Sequence, residues 1–234
     1  MAVEDSPRPG RRLTARGAAT RARIVSAAAE LMYLKGVTAT TLDEILIASG
    51  TSKSQFRAHF ADKGDLVRSV IEFRAREILA KQRSRLENLD SFRGLELWRD
   101  ALLQRNALRR GSWGCELGSL AAELSDTDEN ARVALAEHFR DWERLLADAF
   151  ERMRDNGELC DDIDAPTMAT SVMAAVQGGY LLAQTAHDST PMKMALDMAI
   201  GHVRSYQQPR GAALDESFVA VSGDNRRTGL DRPV

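Results

Sequence analysis

Two capping boxes stand eleven residues apart near the start of the chain, and they leave little freedom for what lies between them. Thr41-Leu42-Asp43-Glu44 is the first and Ser52-Lys53-Ser54-Gln55 the second. In such a box the leading hydroxyl accepts from the amide of the third helical residue, whose own side chain reaches back to the leading amide. The first box starts a helix that runs through Ile45 and Ala48 and stops at Gly50. The second starts a basic, hydroxyl-rich helix of about seven residues. Ser49-Gly50-Thr51 is the turn between them. Two short helices about a tight glycine turn make a helix-turn-helix, a unit that lays its second helix in the major groove of DNA.

The flanking chain has the period of helices. Ile24, Ala27, Ala28, Leu31 and Met32 recur at helical spacing, with Thr20 as the expected cap and Gly36 as the stop. Asp62 caps a helix running from Lys63 past Ile78. Further helices are expected at 92–110, 115–124, 128–156, 164–187 and 191–206, with Pro166 and Pro191 in the first turns of the last two. Aromatic residues are only 6% of the chain and prolines number 6, which favours helix over sheet. The fold class is therefore all-α. An N-terminal three-helix helix-turn-helix domain (18–62) is expected to precede a C-terminal helical domain (63–206), to which the family resemblance described below assigns regulation and dimerisation. Residues 1–17, with Arg8, Arg11, Arg12 and Arg16, are expected to form a mobile basic arm. Residues 207–234, rich in Gly, Pro and scattered charge, are expected to form a disordered tail.

Charge is divided along the chain. Residues 1–60 hold 9 Lys and Arg against 5 Asp and Glu, and the rest hold 23 against 29. A basic front on an acidic body suits a DNA-reading head on a separate body. Cys115 and Cys160 form no CxxC pair, and the N-terminus has no apolar stretch of a signal peptide, so a cytoplasmic protein is expected. Residues 165–186 carry no formal charge over about a membrane-spanning length, but Thr167, Thr170, Ser171, Gln177, Gln184 and Thr185 make them too polar for lipid. No nucleophile elbow, HExxH, P-loop or dinucleotide fingerprint is present. His59, His138, His187 and His202 are scattered. No catalytic residue, metal or cofactor is expected.

The run from Arg21 to Leu66 resembles the DNA-binding domain of the TetR family. The likeness lies in Thr20-Arg21 with Ile24, Ala27-Ala28 and Leu31, then Gly36, Thr41 with Ile45, Gly50, Ser52-Lys53, His59-Phe60, and Lys63 with Leu66. Arg57 stands where the family usually has Tyr, and Leu46 where it usually has Ala, which bears on the operator read rather than on binding. A looser likeness to one subgroup rests on Gly114-Cys115-Glu116-Leu117-Gly118-Ser119-Leu120-Ala121, Glu123-Leu124 and Gln177-Gly178-Gly179. The resemblance implies a homodimer on a palindromic double-stranded operator, acting as a repressor and released by a small effector in the C-terminal domain.

At the DNA end the expected contacts are Thr41, Ser52, Lys53, Ser54, Gln55, Arg57, His59 and Lys63. Gln55 suits adenine, and Lys53 guanine or phosphate. Arg57 suits phosphate or guanine, and Thr41 lies at a helix N-terminus that favours phosphate. His59 orients the turn or touches backbone. Arg12 and Arg16 enter the minor groove or add salt-dependent affinity. At the other end Trp98, Trp113, Cys115, Phe139, Trp142, Met173, Gln177 and Tyr180 are candidates to line a cavity for a small apolar or aromatic effector. Cys115, at a helix start where the dipole lowers a thiol's pKa, is also a candidate sensor of oxidants or electrophiles. The last two helices are expected to form the dimer through Ala174, Gln177, Leu181, Leu182, Met194, Met198 and Ile200 as a four-helix bundle. The competing readings are a regulator controlled by Cys115 chemistry or by a protein partner, and a small helical enzyme.

Overall fold

The computed structural model describes residues 14–208; the expectations for 1–13 and for the tail from 209 lie outside the described residues. Among these, nine helices and no strand are present, with one isolated bridge between Leu159 and Gln207. The head consists of α1 (Ala15–Lys35), α2 (Leu42–Ser49) and α3 (Lys53–Arg57). Thr14, not Thr20, caps α1, so α1 begins inside the stretch expected to be a free arm, and Arg16 is helical. The alanine-rich run after Thr14 has high helix propensity and nothing in it stops a helix, so the earlier cap wins. Thr20 instead donates to the Arg16 carbonyl. Both boxes form as expected, each hydroxyl taking the amide three residues on. The second helix is shorter than expected, since the chain turns at Ala58 to bring Phe60 back beside Phe56, with rings 5.4 Å apart.

Ile24, Ile45, Phe56, Phe60 and Leu66 are at most 3% exposed and form the head's core, with Leu31 half-buried beside them. Arg21 lies over the Phe60 ring and donates to Ser69. The long helix α4 (Lys63–Leu86), capped by Asp62, starts in the head and continues into the body. There it packs on α6 (Glu116–Leu124) and α7 (Glu129–Asp155). The body is completed by α5 (Phe92–Leu108), α8 (Ala165–Ala186) and α9 (Thr190–Arg204). α8 packs closely against both α7 and α9. Burying side chains such as Phe150, Leu146 and Leu196 stabilises this layer by about 1.5–3 kcal/mol each. No helix of the described residues is long and apolar enough to cross a membrane.

Candidate functional site

The head presents a polar face at α3. Ser52, Lys53, Ser54, Gln55 and Arg57 are all exposed, as is Thr41 at the start of α2. The caps hold part of this chemistry. Gln55 Oε1 accepts from the Ser52 amide at 2.9 Å, so its NH2 group remains to donate outward. Ser52 and Ser54 hydroxyls bond one another at 2.9 Å. Lys53 pairs with Asp43 at 3.2 Å across two well-exposed side chains, a contact that a phosphate readily replaces. The Thr41 amide is occupied by Glu44, whose carboxyl is pushed down to about 2 by its hydrogen bond to Lys35 and then by Thr41. Two expected contacts are set back from this face. Lys63 donates to the Val37 carbonyl at 2.6 Å, and half-buried His59 meets the Phe60 ring edge-on. Sequence reading had placed these two with the family's DNA contacts; the tertiary structure ties one to the α1–α2 turn and leans the other on the core.

In the body a groove of about 700 Å³ runs between α6 and α8. One wall is a stripe of small residues, Gly114, Gly118 and Ala122; the other is Gln177, Leu181, Gln184 and Thr185. The fit of the walls explains the glycines. A Cβ on Gly114 would come 2.7 Å from Gln184 Oε1, and one on Gly118 2.7 Å from Gln177 Oε1. Cys115, Ser119, Gly178 and Tyr180 complete the lining, which is mainly apolar and includes no charged side chain. Of the eight cavity candidates, Cys115, Gln177 and Tyr180 are brought together here.

The others are elsewhere. Trp98 is 2% exposed and donates to buried Gln82 at 2.9 Å. Trp142 is equally buried, Phe139 packs on the core, and Met173 is buried beneath Gln177. These four serve packing because the apolar stripes of α5, α7 and α8 face neighbouring helices, which amphipathic spacing alone does not reveal. Trp113 lines a separate cavity of about 240 Å³ with Tyr33, Arg74 and Glu116. Cys115 differs from expectation in its chemistry too. It does head α6, but burial pushes its thiol up rather than down, outweighing the hydrogen bonds and helix start that favour thiolate. Ile200, expected on a dimer face, is 3% exposed within the protomer's own core.

A set of residues that sequence reading missed joins head to body. Glu123, on α6, accepts from the amides of Val37 and Thr38 at 2.7 and 2.6 Å, in the turn between α1 and α2. Burial raises its pKa, but the Thr38 and Val37 amides outweigh that and hold the carboxyl below its ordinary 4.5. Gly36 makes room for this contact: it has φ +86, and a Cβ there would lie 3.1 Å from Glu123 Oε2. Nearby, the Tyr33 hydroxyl accepts from Arg109 at 2.7 Å and donates to the carbonyls of Trp113 and Gly114. Burial, and then Glu116, push that hydroxyl up to about 12, so it stays protonated and able to donate. The spans separating these partners, 76 to 86 residues, leave no local sequence signal.

Exchanging Glu123 for Gln replaces one acceptor oxygen by a donor facing an amide, and is expected to lower stability by about 1–2 kcal/mol. The sign with pH follows from the lowered pKa. The carboxylate's contribution is present above pH 4.5 and is lost as pH falls through the lower folded value. The gap in melting temperature between the parent and Glu123→Gln is therefore expected to close as pH falls from 6 towards 3; a constant gap would show that the charge is not the source.

The comparisons with known proteins agree with this geometry. Residues 24–70 match the family model described as bacterial regulatory proteins, tetR family. Residues 93–198 match that of the transcriptional regulator LmrA/YxaF-like C-terminal domain. The HTH-type transcriptional regulator LmrA of Bacillus subtilis is 30% identical over 175 residues, covering 74% of this chain and 90% of its own length. A regulator from the lacX 3' region of Lactococcus lactis is 28% identical over 187 residues, 76% of this chain and 90% of that protein. The crystal structure of regulatory protein TetR from Rhodobacter sphaeroides superposes with a TM-score of 0.71 at 23% identity, covering 78% of this chain and 98% of that one. Head and body match in order and in place, and the chain belongs to the TetR family of DNA-binding transcriptional regulators.

Proposed function

We propose that the protein is a cytoplasmic, dimeric repressor whose α3 helices read a palindromic operator and whose α6–α8 groove binds the effector that releases it. Dimerisation through α8 and α9 would set the two α3 helices about one DNA turn, near 34 Å, apart. The observation that carries the reading is that one helix serves both ends: α6 forms a wall of the groove through Gly118 and Ala122 and holds the head through Glu123. An effector that fits only a displaced α6 must shift the head by its differential affinity for the two arrangements. The groove's chemistry selects the effector class. With no charged group in the lining and two amides, Gln177 and Gln184, on one wall, it suits an uncharged apolar or aromatic molecule bearing a few hydrogen-bonding groups.

The test is fluorescence anisotropy on DNA from upstream of the protein's own gene at fixed salt, with a panel of neutral aromatic compounds as effectors. Specific binding that at least one compound weakens tenfold or more is expected. Ala122→Leu fills the groove from an exposed position on α6, without forcing the Gly118–Gln177 contact, and is expected to bind the operator as the parent does while ignoring that compound. An Ala122→Leu protein released as readily as the parent would remove the effector from this groove.

A further inference from the structure

We infer that an open cleft between α4 and α5 binds a small soluble molecule carrying a doubly charged anionic head, such as a phosphate monoester, on an apolar body. The cleft has a volume of about 350 Å³ and shares no residue with the lining of the α6–α8 groove. Lys81 and Arg85 line it from α4, and Arg105 and Arg109 from α5. Each pair is spaced i, i+4, so each helix turns two like charges to one side, an arrangement that weakens a helix instead of supporting it. Exposed helix surface elsewhere in the chain balances its charges: on α7, Arg132 pairs with Glu129 at 2.5 Å and Arg144 with Asp141 at 2.9 Å.

The cleft is not balanced in this way. No acid lines it. Among the described residues, Glu116 is the one carboxylate within 4.0 Å of any of the four cations, 2.6 Å from Arg105 and 3.8 Å from Arg109. An adjoining cavity of about 140 Å³ does hold Glu30 and Glu77, but Arg74 engages them at 2.6 and 3.0 Å. Four cations thus face one recess against a single carboxylate. A concave surface of one sign concentrates counter-ions, and guanidinium groups suit the oxygens of a phosphate or carboxylate in pairs. Leu108, 81% exposed, and Ala101 supply an apolar edge beside the charges, where an organic body can lie. Operator DNA is not the occupant. Lys81 stands 18 residues after Lys63 on the continuous helix α4, about 27 Å along its axis and away from the head.

Isothermal titration calorimetry of the full chain with 1-naphthyl phosphate, at fixed low salt, tests the site. One probe per chain is expected to bind. Inorganic phosphate, which lacks the apolar body, is expected to bind at least tenfold more weakly. Lys81→Gln with Arg85→Gln is expected to weaken the probe tenfold or more, since two charged partners are lost. The same variant is expected to melt no lower than the parent, because it removes a like-charge pair from two exposed positions that hold no acid. Ala122→Leu, which fills the groove, is expected to leave probe affinity within twofold. Parent and double variant binding the probe alike, or no binding by the parent, would overturn the cleft as an anion site. Loss of the probe in Ala122→Leu would do the same by placing it in the groove. Inorganic phosphate binding as tightly as the probe would overturn the apolar half of the ligand class. Should the double variant fail to fold, Arg85→Gln alone decides, with a loss of threefold or more expected and an unchanged affinity overturning the site.

Discussion

Replacing Lys53 by Ala and Gln55 by Glu together is expected to lower specific operator affinity a hundredfold or more while the protein stays folded. A bidentate side-chain contact to a base discriminates by about 1–3 kcal/mol, and the pair removes one such donor and one cation from the face of α3. The choice of glutamate follows from the structure. Gln55 Oε1 closes the second capping box on the Ser52 amide, so an alanine there would confound lost contact with a frayed helix. Glutamate keeps the acceptor, removes the outward NH2, and sets a negative charge against the phosphates. Anisotropy at fixed salt measures the affinity, and circular dichroism checks the fold. Affinity within threefold of the parent would mean that α3 is not the reading helix.

Gly111→Ala is expected to be the most damaging single methyl group that can be added to the body. Gly111 has φ +71, and a Cβ there would lie 2.6 Å from the Ala183 carbonyl oxygen and 2.7 Å from the Asp188 amide nitrogen. Both obstacles are backbone at the end of α8, so no side-chain rotation relieves them. Backbone strain and overpacking together cost about 3 kcal/mol. For a chain of this size that is a fall in Tm of roughly 6–12 °C. Gly157→Ala is the control: it has the same φ of +71 but nothing within 4 Å, so it reports strain without the collision. Equal melting temperatures for the two variants would show that the close approach of the 109–114 bend to α8 carries no energy. The bend matters beyond stability, because it supplies Trp113 and Gly114 to the Tyr33 hydroxyl and Gly114 to the groove wall.

Much of the fold was legible because it is written locally. Each capping box specifies a helix start within four residues, and both formed where the side chains required. Pro166 and Pro191 marked the first turns of α8 and α9, and the uncharged run 165–186 was legible as a helix. Local reading erred where two local solutions compete, as when Thr14 and Thr20 both offered a cap. It erred again where an aromatic has two fates. Trp98 and Trp142 sit at helical spacing whether they line a cavity or fill a core, and only the neighbour across the layer decides between them.

The candidate site divides along the same line. The polar face of α3 depends on residues within one short segment, so the sequence by itself determined it, together with the all-α class and the two-part order of the chain. What the tertiary structure decided needed partners far apart along the chain. Cys115 heads a helix as expected, yet its thiol is pushed up because packing buries it beside α8, an effect stronger than the helix start. Glu123 is an unremarkable acid in sequence and becomes a head-to-body clamp only when α6 lies against the Val37 and Thr38 amides. The groove exists because small residues on α6 meet glutamines on α8 about sixty positions later. Hydrogen bonds within one turn of helix can be read from residue order, but burial, cavities and long-range ion contacts are properties of which surfaces meet, and that is settled only by the packing of the whole chain.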